Sequence, residues 1–392
     1  MNSGAAEQGH SQDIEKWLAL LRTDGVGPIL FFRLLKHFLT IDRIMGASVA
    51  ELTHVQGIGG KTAESIARTR DKFDSRKEIE QADKLGVWLV HQQDLRYPLP
   101  LKGIYDPPPV LYVKGTLNRN DSLALAIVGS RRCSVYGSEQ ASRFACLLAD
   151  MGFTIVSGLA RGIDSAAHNG ALAAKGRTIA VQGCGLGQVF PPENKKLFEQ
   201  IAESGAVLSE LPLNAEALAE HFPPRNRIIV GLSMGVLVVE AARGSGALIT
   251  AKAAVDSNRD VMVIPGKIDS PLSAGSHNLI KQGAKLVDSV GDIMEALGVI
   301  GQDLTDYAAS QTGQKENQVN TVRMNLAQMN LTDQQQRALA CLDSEPVHIE
   351  ELIMRTQLPV GIVHSALVHL QLKQLIRQLP GGFYTKRVVS NG

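Results

Sequence analysis

Cysteine, aromatic residues and net charge are all scarce in this sequence. The 392 residues include 4 cysteines that stand far apart, at Cys133, Cys146, Cys184 and Cys341. The absence of a C-x-x-C pair excludes a simple zinc site and a disulfide framework, and it favours a reducing environment. Lys and Arg number 40 against 39 Asp and Glu, which leaves a formal net charge of +1. Overall charge therefore gives no attraction to nucleic acid or membranes, and a polyanion would need a local cluster of cations.

Long apolar runs are also missing. The longest, Ile228–Val239, contains Gly231, Ser233 and Gly235, and it is shorter than the roughly 20 apolar residues that span a bilayer. The polar stretch Met1–Asp13 lacks the basic, apolar and small-residue plan of a secretory signal. We therefore expect no signal peptide, no membrane segment and a cytoplasmic protein.

Motifs of common enzyme classes are absent too. The sequence has no H-E-x-x-H zinc motif, no G-x-G-x-x-G dinucleotide motif and no recognisable set of nucleophile, base and orienting residue. The segment Gly60-Lys61-Thr62 ends like a phosphate-binding P-loop, but Val55 occupies the position of the first glycine that this motif requires. We therefore expect no catalytic residue, no metal and no cofactor, and a binding function rather than catalysis.

Two consecutive stretches follow a plan of strand, turn and helix. The apolar run Leu123–Val128 breaks at Gly129 and is followed by a helical pattern. The run Phe153–Val156 leads into a second glycine-rich turn, and Asp164 is predicted to cap the next helix. Because buried apolar runs joined by helices are typical of parallel sheets, the two units predict a parallel sheet.

The same alternation continues along the chain and predicts an α/β fold, with an extended Rossmann-like parallel sheet over residues 81–300. Two earlier apolar segments, Val87–Val90 and Val110–Val113, are separated by a proline-rich stretch and are predicted to lead into this sheet. A chain of 392 residues is long enough for two or three domains. The later strands are predicted at Thr178–Val181, Ala206–Leu208, Val236–Val239, Val261–Ile264 and Lys285–Val287.

Residues 1–80 are predicted to form an N-terminal helical domain. Two glycine hairpins, Gly25-Val26-Gly27 and Gly57-Ile58-Gly59, separate its helical stretches. A glycine, a hydrophobic residue and a glycine between helices are typical of tandem helix-hairpin-helix (SAM-like) modules, whose hairpin amides can hold a backbone phosphate. A small helical packing domain with tight turns is the alternative.

The C-terminal part is predicted to contain a linker and a small domain. Residues 301–328 are rich in Gln, Asn, Ser, Thr and Asp, which is typical of a flexible linker. Residues 329–392 contain three short helical patterns and a hairpin around Gly381-Gly382, which together predict a winged-helix domain. The third helical pattern carries Lys373 as its only formal cation, so duplex binding and protein binding both fit this domain.

The turns after the first two parallel strands carry arginines beside their glycines. In a parallel sheet these turns emerge at the carboxyl edge, where doubly wound folds bind ligands. Gly129 and Gly158 are expected to leave backbone N–H groups open, and Arg131 and Arg161 stand in the same two turns. Open amides, helix N-termini and guanidinium groups suit an anion with several phosphates. The alternative is that the glycines only permit tight turns and that the arginines are solvated.

Later loops add further charged residues. If these loops converge at the same edge, one pocket with a glycine-rich floor collects several basic side chains. These are Arg131, Lys195, Arg225 and Arg227. His168 is expected to be structural, whereas Glu240 is the strand-end carboxylate to test for catalysis. A nucleotide-processing enzyme acting on nucleoside phosphates is therefore the alternative to a binding protein.

Six motifs follow one another through the predicted sheet domain. In chain order they are AIVGSRRCSVYG, SGLARGIDSAAHNGAL, GCGLGQVFPPENKKLF, HFPPRNRIIVGLS, VVEAARGSGALITAKAA and VIPGKIDSPLSAGSHNLIKQGAKLV. Together they resemble the successive motifs of the DprA (Smf) family of DNA-processing proteins. The resemblance implies an extended Rossmann domain that binds single-stranded DNA, protects incoming DNA, forms a homodimer and loads the RecA recombinase during natural transformation. The flanking helical and winged-helix domains resemble additions found in many members of the family.

The resemblance also implies which residues bind DNA. By motif these are Gly129, Ser130, Arg131, Ser157, Gly158, Arg161, Asn194, Lys195, Phe222, Arg225 and Asn226. Pro192 departs from relatives in which a lysine follows the first proline, so the basic residue of that loop is expected at Lys195. Because aromatic residues make up 5% of the chain, backbone contacts are expected to dominate, with Phe222 as the aromatic residue at the site. Such binding is expected to be independent of sequence and to weaken as salt rises.

Overall fold

The computed structural model describes residues 13–298, 332–342, 347–372, 375–379 and 383–386. The predicted linker over residues 301–328, Lys373 and the Gly381-Gly382 turn lie outside these residues. The chain separates into two compact units, and the division falls between Ser289 and Val290.

The first unit begins with a helical module that contains both predicted hairpins. Its helices are α1 (13–21), α2 (Pro28–Phe38), α3 (Ile41–Gly46), α4 (Val49–Thr53), α5 (Gly60–Lys72) and α6 (Ser75–Lys84). Gly25 and Gly57 adopt φ values of 83° and 91° in the two hairpins, a backbone region that favours glycine. A Cβ atom at Gly57 would also lie 2.9 Å from Nη1 of Arg33. The predicted helix-hairpin-helix module is confirmed.

A nine-stranded sheet follows the helical module. Its strands are β1 (Val87–His91), β2 (Val110–Gly115), β3 (Ala124–Val128), β4 (Thr154–Ser157), β5 (Thr178–Val181), β6 (Ala206–Ser209), β7 (Gly235–Val238), β8 (Asp260–Val263) and β9 (Lys285–Leu286). β1 and β2 form an antiparallel edge beside β6, and all pairs from β6 across to β9 are parallel. The connecting helices are α7 (Val135–Asp150), α8 (Ile163–Ala173), α9 (Lys195–Ser204), α10 (Phe222–Gly231), α11 (Gly246–Asp256) and α12 (Ala274–Lys281). The predicted parallel sheet is confirmed.

The side of the sheet to which the chain adds new strands changes at β3, near the middle of the sheet. The order is β1-β2-β6-β5-β4-β3-β7-β8-β9, so the chain moves from β3 to one side and then restarts on the other side with β7. In doubly wound sheets, ligands bind outside the carboxyl ends of the strands at such a point. We call this edge, formed by the loops after β3, β4, β5 and β7, the switch-point edge.

The helical module and the sheet share one hydrophobic core. Trp17 of α1 is fully buried, and its ring stacks on His91 of β1 with centroids 4.8 Å apart. Arg22 donates to the Glu78 carboxylate at 2.9 Å and to the Tyr112 hydroxyl of β2 at 2.6 Å. The module therefore packs directly on the antiparallel edge of the sheet.

The second unit contains a winged-helix fold with its own core. Its elements are α13 (Val290–Ala296), α14 (Asp333–Ala340), β10 (Val347–His348), α15 (Ile349–Thr356), α16 (Val360–Leu372), β11 (Ile376–Leu379) and β12 (Phe383–Lys386). The strands pair in the order β10-β12-β11, and Leu352, Val363 and Leu367 are fully buried in the core. The predicted winged helix is confirmed. Among the helices that the structure describes, none combines the length and the apolar character of a membrane span.

Candidate functional site

The loops after β3 and β4 approach each other closely at the switch-point edge. A Cβ atom at Gly129 would lie 2.5 Å from Cγ1 of Ile163, at the start of α8. A Cβ atom at Gly162, where φ is 74°, would lie 2.3 Å from the Ser130 carbonyl oxygen. The Ile163 amide donates to the same Ser130 oxygen at 3.2 Å. The glycines therefore bring the two loops together, and with them the arginine that each loop carries.

Gly162→Ala is expected to lower the free energy of unfolding by about 2 kcal/mol, because the new Cβ atom meets a carbonyl oxygen in a backbone region that L side chains avoid. Chemical denaturation followed by circular dichroism measures this loss. Gly152→Ala is the matched control, since Gly152 has φ of 91° but open space around the position of its Cβ atom. It should cost about 1 kcal/mol. Equal losses in the two variants would show that the close approach of the loops adds nothing to stability.

Two backbone amides of these loops are bonded inside the protein. The Ser130 amide donates to the Glu240 carbonyl oxygen at 2.7 Å, and the Gly158 amide donates to the Asp164 carboxylate at 3.1 Å. The prediction of an open amide is therefore wrong at Gly158, and the amide that follows Gly129 in the chain is also bonded inside the protein. Buried amides need a partner, and at these two positions the chain itself supplies it. The exposed side chains of the loops are therefore the groups to examine for contacts to an anion.

Asp164 is not the helix cap that the sequence predicts. α8 begins at Ile163, and the Asp164 carboxylate turns back to accept the amides of Gly158 and Ala160 at 3.1 and 3.4 Å. Burial raises the pKa of Asp164, although Arg225 and these hydrogen bonds act in the opposite direction. The carboxylate thus closes the loop after β4 instead of satisfying the first amides of α8.

Arg225 lies beneath the switch-point edge. The residue is 5% exposed, and its Nη1 donates to the carbonyl oxygens of Gly158, at 2.7 Å, and of Val181. A Cβ atom at Gly158 would lie 2.7 Å from that Nη1, so glycine makes room for the guanidinium group. Burial lowers the pKa of Arg225 to about 10, against the opposing effect of Asp164, and the group stays charged at neutral pH. Arg225 therefore holds the ends of β4 and β5 in position.

Three other predicted site residues are also buried. Ser157 is fully buried, and its hydroxyl donates to the Ile127 carbonyl oxygen at 2.6 Å. Ser130 and Asn226 are 8% and 9% exposed, and Oδ1 of Asn226 accepts from Nε of Arg225 at 3.2 Å. These side chains shape the loops from within.

An arginine and two aromatic rings form the exposed part of the site. The exposed Arg131 side chain places its guanidinium 5.0 Å from the centroid of the Phe222 ring. Phe222 packs against Phe190 with centroids 5.6 Å apart, and the buried Arg225 lies 5.7 Å from the Phe222 ring. We call Phe190 and Phe222 the aromatic platform. A partly exposed ring beside a guanidinium group offers a flat apolar surface and a positive charge to one ligand.

The sequence identified Phe222 but not Phe190. Phe190 stands in the motif GCGLGQVFPPENKKLF, and its contact with Phe222 joins the loop after β5 to the start of α10, which no local pattern reveals. A Cβ atom at Gly183 would lie 2.9 Å from Cδ1 of Phe222, so the glycine-rich loop after β5 makes room for the ring. The position of Phe190 at the end of that glycine-rich loop is the sequence feature that could have identified it as a site residue.

The loop after β5 is tied to the loop after β4. Asn194 donates through Nδ2 to the Leu159 carbonyl oxygen at 2.8 Å and to the Ser165 hydroxyl at 2.9 Å. Leu159 has φ of 56°, which is a strained value for a bulky residue. Lys195 follows as the first residue of α9, with an exposed side chain. The bonds of Asn194 therefore bring Lys195 to the same edge as Arg161.

Arg161 is exposed but already has a partner. Its Nε donates to Oε1 of Glu193, and 56% and 50% of the two side chains are exposed. This hydrogen bond lowers the pKa of Glu193, so the carboxylate is ionised at neutral pH. Within the residues that the structure describes, Arg131 and Lys195 form no comparable ion pair.

Arg227 does not join the pocket that the sequence predicts. Its Nη1 and Nη2 donate to the two carboxylate oxygens of Glu210 at 2.6 and 2.7 Å, and its Nε lies 2.9 Å from Oδ2 of Asp106. Its side chain is 13% exposed, so the charge is paired inside the protein. The prediction is wrong because α10 already begins at Phe222 and carries Arg225 and Arg227 against the sheet instead of into a loop.

Glu240 and His168 both have structural partners. The Glu240 carboxylate accepts from the amide and the hydroxyl of Ser134 at 2.7 and 2.8 Å, at the start of α7. His168 is fully buried with Nδ1 2.6 Å from the Thr178 hydroxyl, and burial lowers its pKa to about 3. The carboxylate that the sequence offers for catalysis is therefore bonded to the N-terminus of α7, which is a structural role.

Two exposed cations extend the edge beyond the predicted residues. Arg243 stands in the loop after β7 and Lys267 in the loop after β8, and both side chains are exposed. Since β7 adjoins β3 and β8 adjoins β7, the loop after β7 emerges beside the loop of Arg131, and the loop after β8 emerges one strand further along the same edge. Both cations come within a few residues of the end of a predicted strand. That position in the sequence could have assigned them to this edge.

Fold and site together define a Rossmann-like protein with a basic and aromatic switch-point edge, flanked by a helix-hairpin-helix module and a winged helix. The family model described as DNA recombination-mediator protein A matches residues 88–298, more than half of the 392-residue chain. The chain belongs to this family, which confirms the predicted resemblance to DprA (Smf) proteins. Models of the DprA winged helix domain and of a SAM-like helix-hairpin-helix tandem match residues 324–382 and 18–71.

Similar proteins have names that refer to DNA processing or to Smf. Protein Smf of Synechocystis sp. is 37% identical over 394 residues, which cover 95% of this chain and 98% of that protein. DNA processing protein DprA of Streptococcus pneumoniae is 47% identical over 198 residues, which cover 50% of this chain and 70% of that protein. The X-ray structure of DprA from Streptococcus pneumoniae matches with a TM-score of 0.64 and 35% identity, covering 72% of this chain and 97% of that chain. Membership in a family of recombination mediators confirms the prediction of a mediator rather than an enzyme.

Proposed function

We propose that this protein binds single-stranded DNA at the switch-point edge, protects incoming DNA and loads the RecA recombinase onto it during natural transformation. The observation that carries this proposal is the exposed Arg131 guanidinium, 5.0 Å from the centroid of the Phe222 ring. A nucleotide offers a phosphate to the guanidinium group and a base face to the ring. Membership in a family named for DNA recombination mediation supports the same function.

The predicted DNA-binding residues divide into two groups with different roles. Those proposed to contact DNA directly have exposed or partly exposed side chains, and they are Arg131, Arg161, Lys195 and Phe222. Those proposed to hold this surface in place are buried, closely packed or bonded to neighbouring loops, and they are Gly129, Ser130, Ser157, Gly158, Asn194, Arg225 and Asn226. Because their charged groups are exposed, the cations of the first group provide phosphate contacts.

A single strand fits this edge better than a duplex. Stacking on the partly exposed Phe222 ring requires a base whose face is free. In a duplex the base faces are covered by neighbouring pairs, so that only the phosphates remain for the cations. Because every base has a flat face, binding is expected to be independent of sequence.

RecA and a second copy of this chain are the proposed protein partners, and the cytoplasm is the proposed location. The description of the family as a recombination mediator supports a recombinase partner. A mediator must release its strand to the recombinase. Phosphate contacts that are sensitive to salt suit such a transfer better than specific base contacts.

Titration with labelled DNA tests the proposal. The protein is expected to bind an oligothymidine strand about tenfold more tightly than a duplex of the same length, with affinity that falls as salt rises. Abasic strands keep the phosphates and are expected to bind roughly fivefold more weakly, since one stacked base contributes about 1–3 kcal/mol. Preference for duplex would contradict the proposal, and equal binding of abasic strands would contradict the role of the platform.

Filament assembly tests the proposed loading of RecA. RecA filaments are expected to form after a shorter lag on single strands that this protein has bound than on bare strands. An unchanged lag time would exclude loading.

A further inference from the structure

The ion pair between Arg161 and Glu193 occupies one cation of the proposed DNA surface. Nε of Arg161 donates to the Glu193 carboxylate, and both side chains stand at the surface. A carboxylate and a phosphate use the same N–H groups of a guanidinium, so the two anions exclude each other there. Arg161 is therefore less available to DNA than Arg131 or Lys195, which form no such pair among the residues that the structure describes.

Contacts between the two loops hold this ion pair in place. Glu193 lies in a short turn directly before α9. The next residue, Asn194, is bonded to the Leu159 carbonyl oxygen and to the Ser165 hydroxyl, which lie on either side of Arg161 in the chain. The backbone positions of the two charged residues are thereby fixed relative to each other. Only the side chains need to move apart when a ligand arrives.

We propose that Glu193 sets the affinity of the site by competing with a DNA phosphate for Arg161. The inference rests on the proposed function, because the competing ligand is the backbone of a bound single strand. In the free protein the carboxylate takes the guanidinium group. In the complex a phosphate takes it, and the displaced carboxylate stands beside a like charge. The lost ion pair and the new repulsion both weaken binding.

This competition suits a protein that passes its strand on. A strand held by cations without competition would dissociate slowly, whereas Glu193 can return to Arg161 as each phosphate leaves. Exposed ion pairs contribute modestly, so the expected effect of Glu193 is a several-fold change in affinity and not its loss.

Glu193→Gln tests the proposal in titrations of labelled oligothymidine. The variant is expected to bind roughly two- to fivefold more tightly than the wild type. Its affinity should also fall more steeply with salt, by about 0.7 in the slope of log affinity against log salt concentration. The reason is that the wild type takes up a cation at Glu193 when the ion pair opens, which offsets the counterion that Arg161 releases from the strand. Glu193→Ala should show the same two changes.

Glu199→Gln is the matched control. Glu199 also forms a surface ion pair, with Lys114 at 3.2 Å, and its replacement removes the same charge from the neighbouring helix α9. We expect less than a twofold change in its affinity. In an Arg161→Ala background, Glu193→Gln should likewise gain less than twofold, because the contested cation is gone.

The outcomes separate the two proposals. Wild-type protein that is folded but binds no single strand would overturn the proposed function and this inference with it. Wild-type binding with Glu193→Gln no tighter than Glu199→Gln would overturn the inference alone. A gain for Glu193→Gln that persists undiminished in the Arg161→Ala background would also overturn it, since competition for Arg161 would then not be the cause.

Discussion

Arg131→Ala is expected to weaken the binding of single-stranded DNA roughly 10- to 150-fold. The variant removes a charged hydrogen-bond donor to phosphate, which contributes about 1.5–3 kcal/mol. The contact of Arg131 with the Phe222 ring is already present in the free protein, so its energy is not added to this loss. Fluorescence anisotropy with labelled oligothymidine at several salt concentrations measures the loss, and the salt slope should become shallower by about 0.7.

Arg143→Ala provides the control for this prediction. Arg143 is also exposed and lies 5.6 Å from the centroid of Phe144, but it stands within α7 and not at the switch-point edge. Its replacement should change the affinity less than about twofold. Arg131→Lys, which keeps the charge but loses the planar group, should bind with intermediate affinity. Unchanged affinity of Arg131→Ala would contradict the proposed site.

Arg225→Ala is expected to lower the free energy of unfolding by about 3–5 kcal/mol, because removal of one of two interacting buried charges leaves the other uncompensated. Asp164 would remain buried, and the carbonyl oxygens of Gly158 and Val181 would lose this donor. The pKa of Asp164, already raised by burial, should rise further without Arg225. Chemical denaturation followed by circular dichroism measures the loss of stability.

Arg243→Ala is the control for stability, since its side chain is exposed in the loop after β7. Its unfolding free energy should stay within about 0.5 kcal/mol of the wild type. DNA affinity of Arg225→Ala is expected to fall together with stability, because the residue acts by holding the ends of β4 and β5. Loss of DNA binding at full stability would contradict this positioning role and would indicate direct contact with DNA.

The sheet could be predicted because its central parallel strands, from β3 to β7, are short apolar runs that are fully buried. The prediction Thr178–Val181 coincides with β5, and the prediction Leu123–Val128 differs from β3 by one residue at its start. Strands that are covered on both faces need apolar side chains at nearly every position, so local hydrophobicity is sufficient to find them.

The site could be predicted only in part, because burial and distant contacts are not local properties. Arg131 and Arg225 are chemically identical in the sequence, yet one is exposed and the other lies under the loops. The glycine turns indicated close backbone packing, but they could not reveal whether the nearby amides were open or already bonded. The contact of Phe190 with Phe222 depends on how the loop after β5 meets the start of α10.

The helical module and the sheet are expected to unfold as one cooperative unit, because no boundary divides the core that they share. Trp17, Phe31 and Phe198 belong to a single buried cluster that draws on α1, α2 and α9. Neither part can expose its contact face without losing apolar burial, at about 25 cal/mol for each Å². A helical module taken from another member of the family would therefore need a surface that matches this sheet, so that the two parts evolve as a pair.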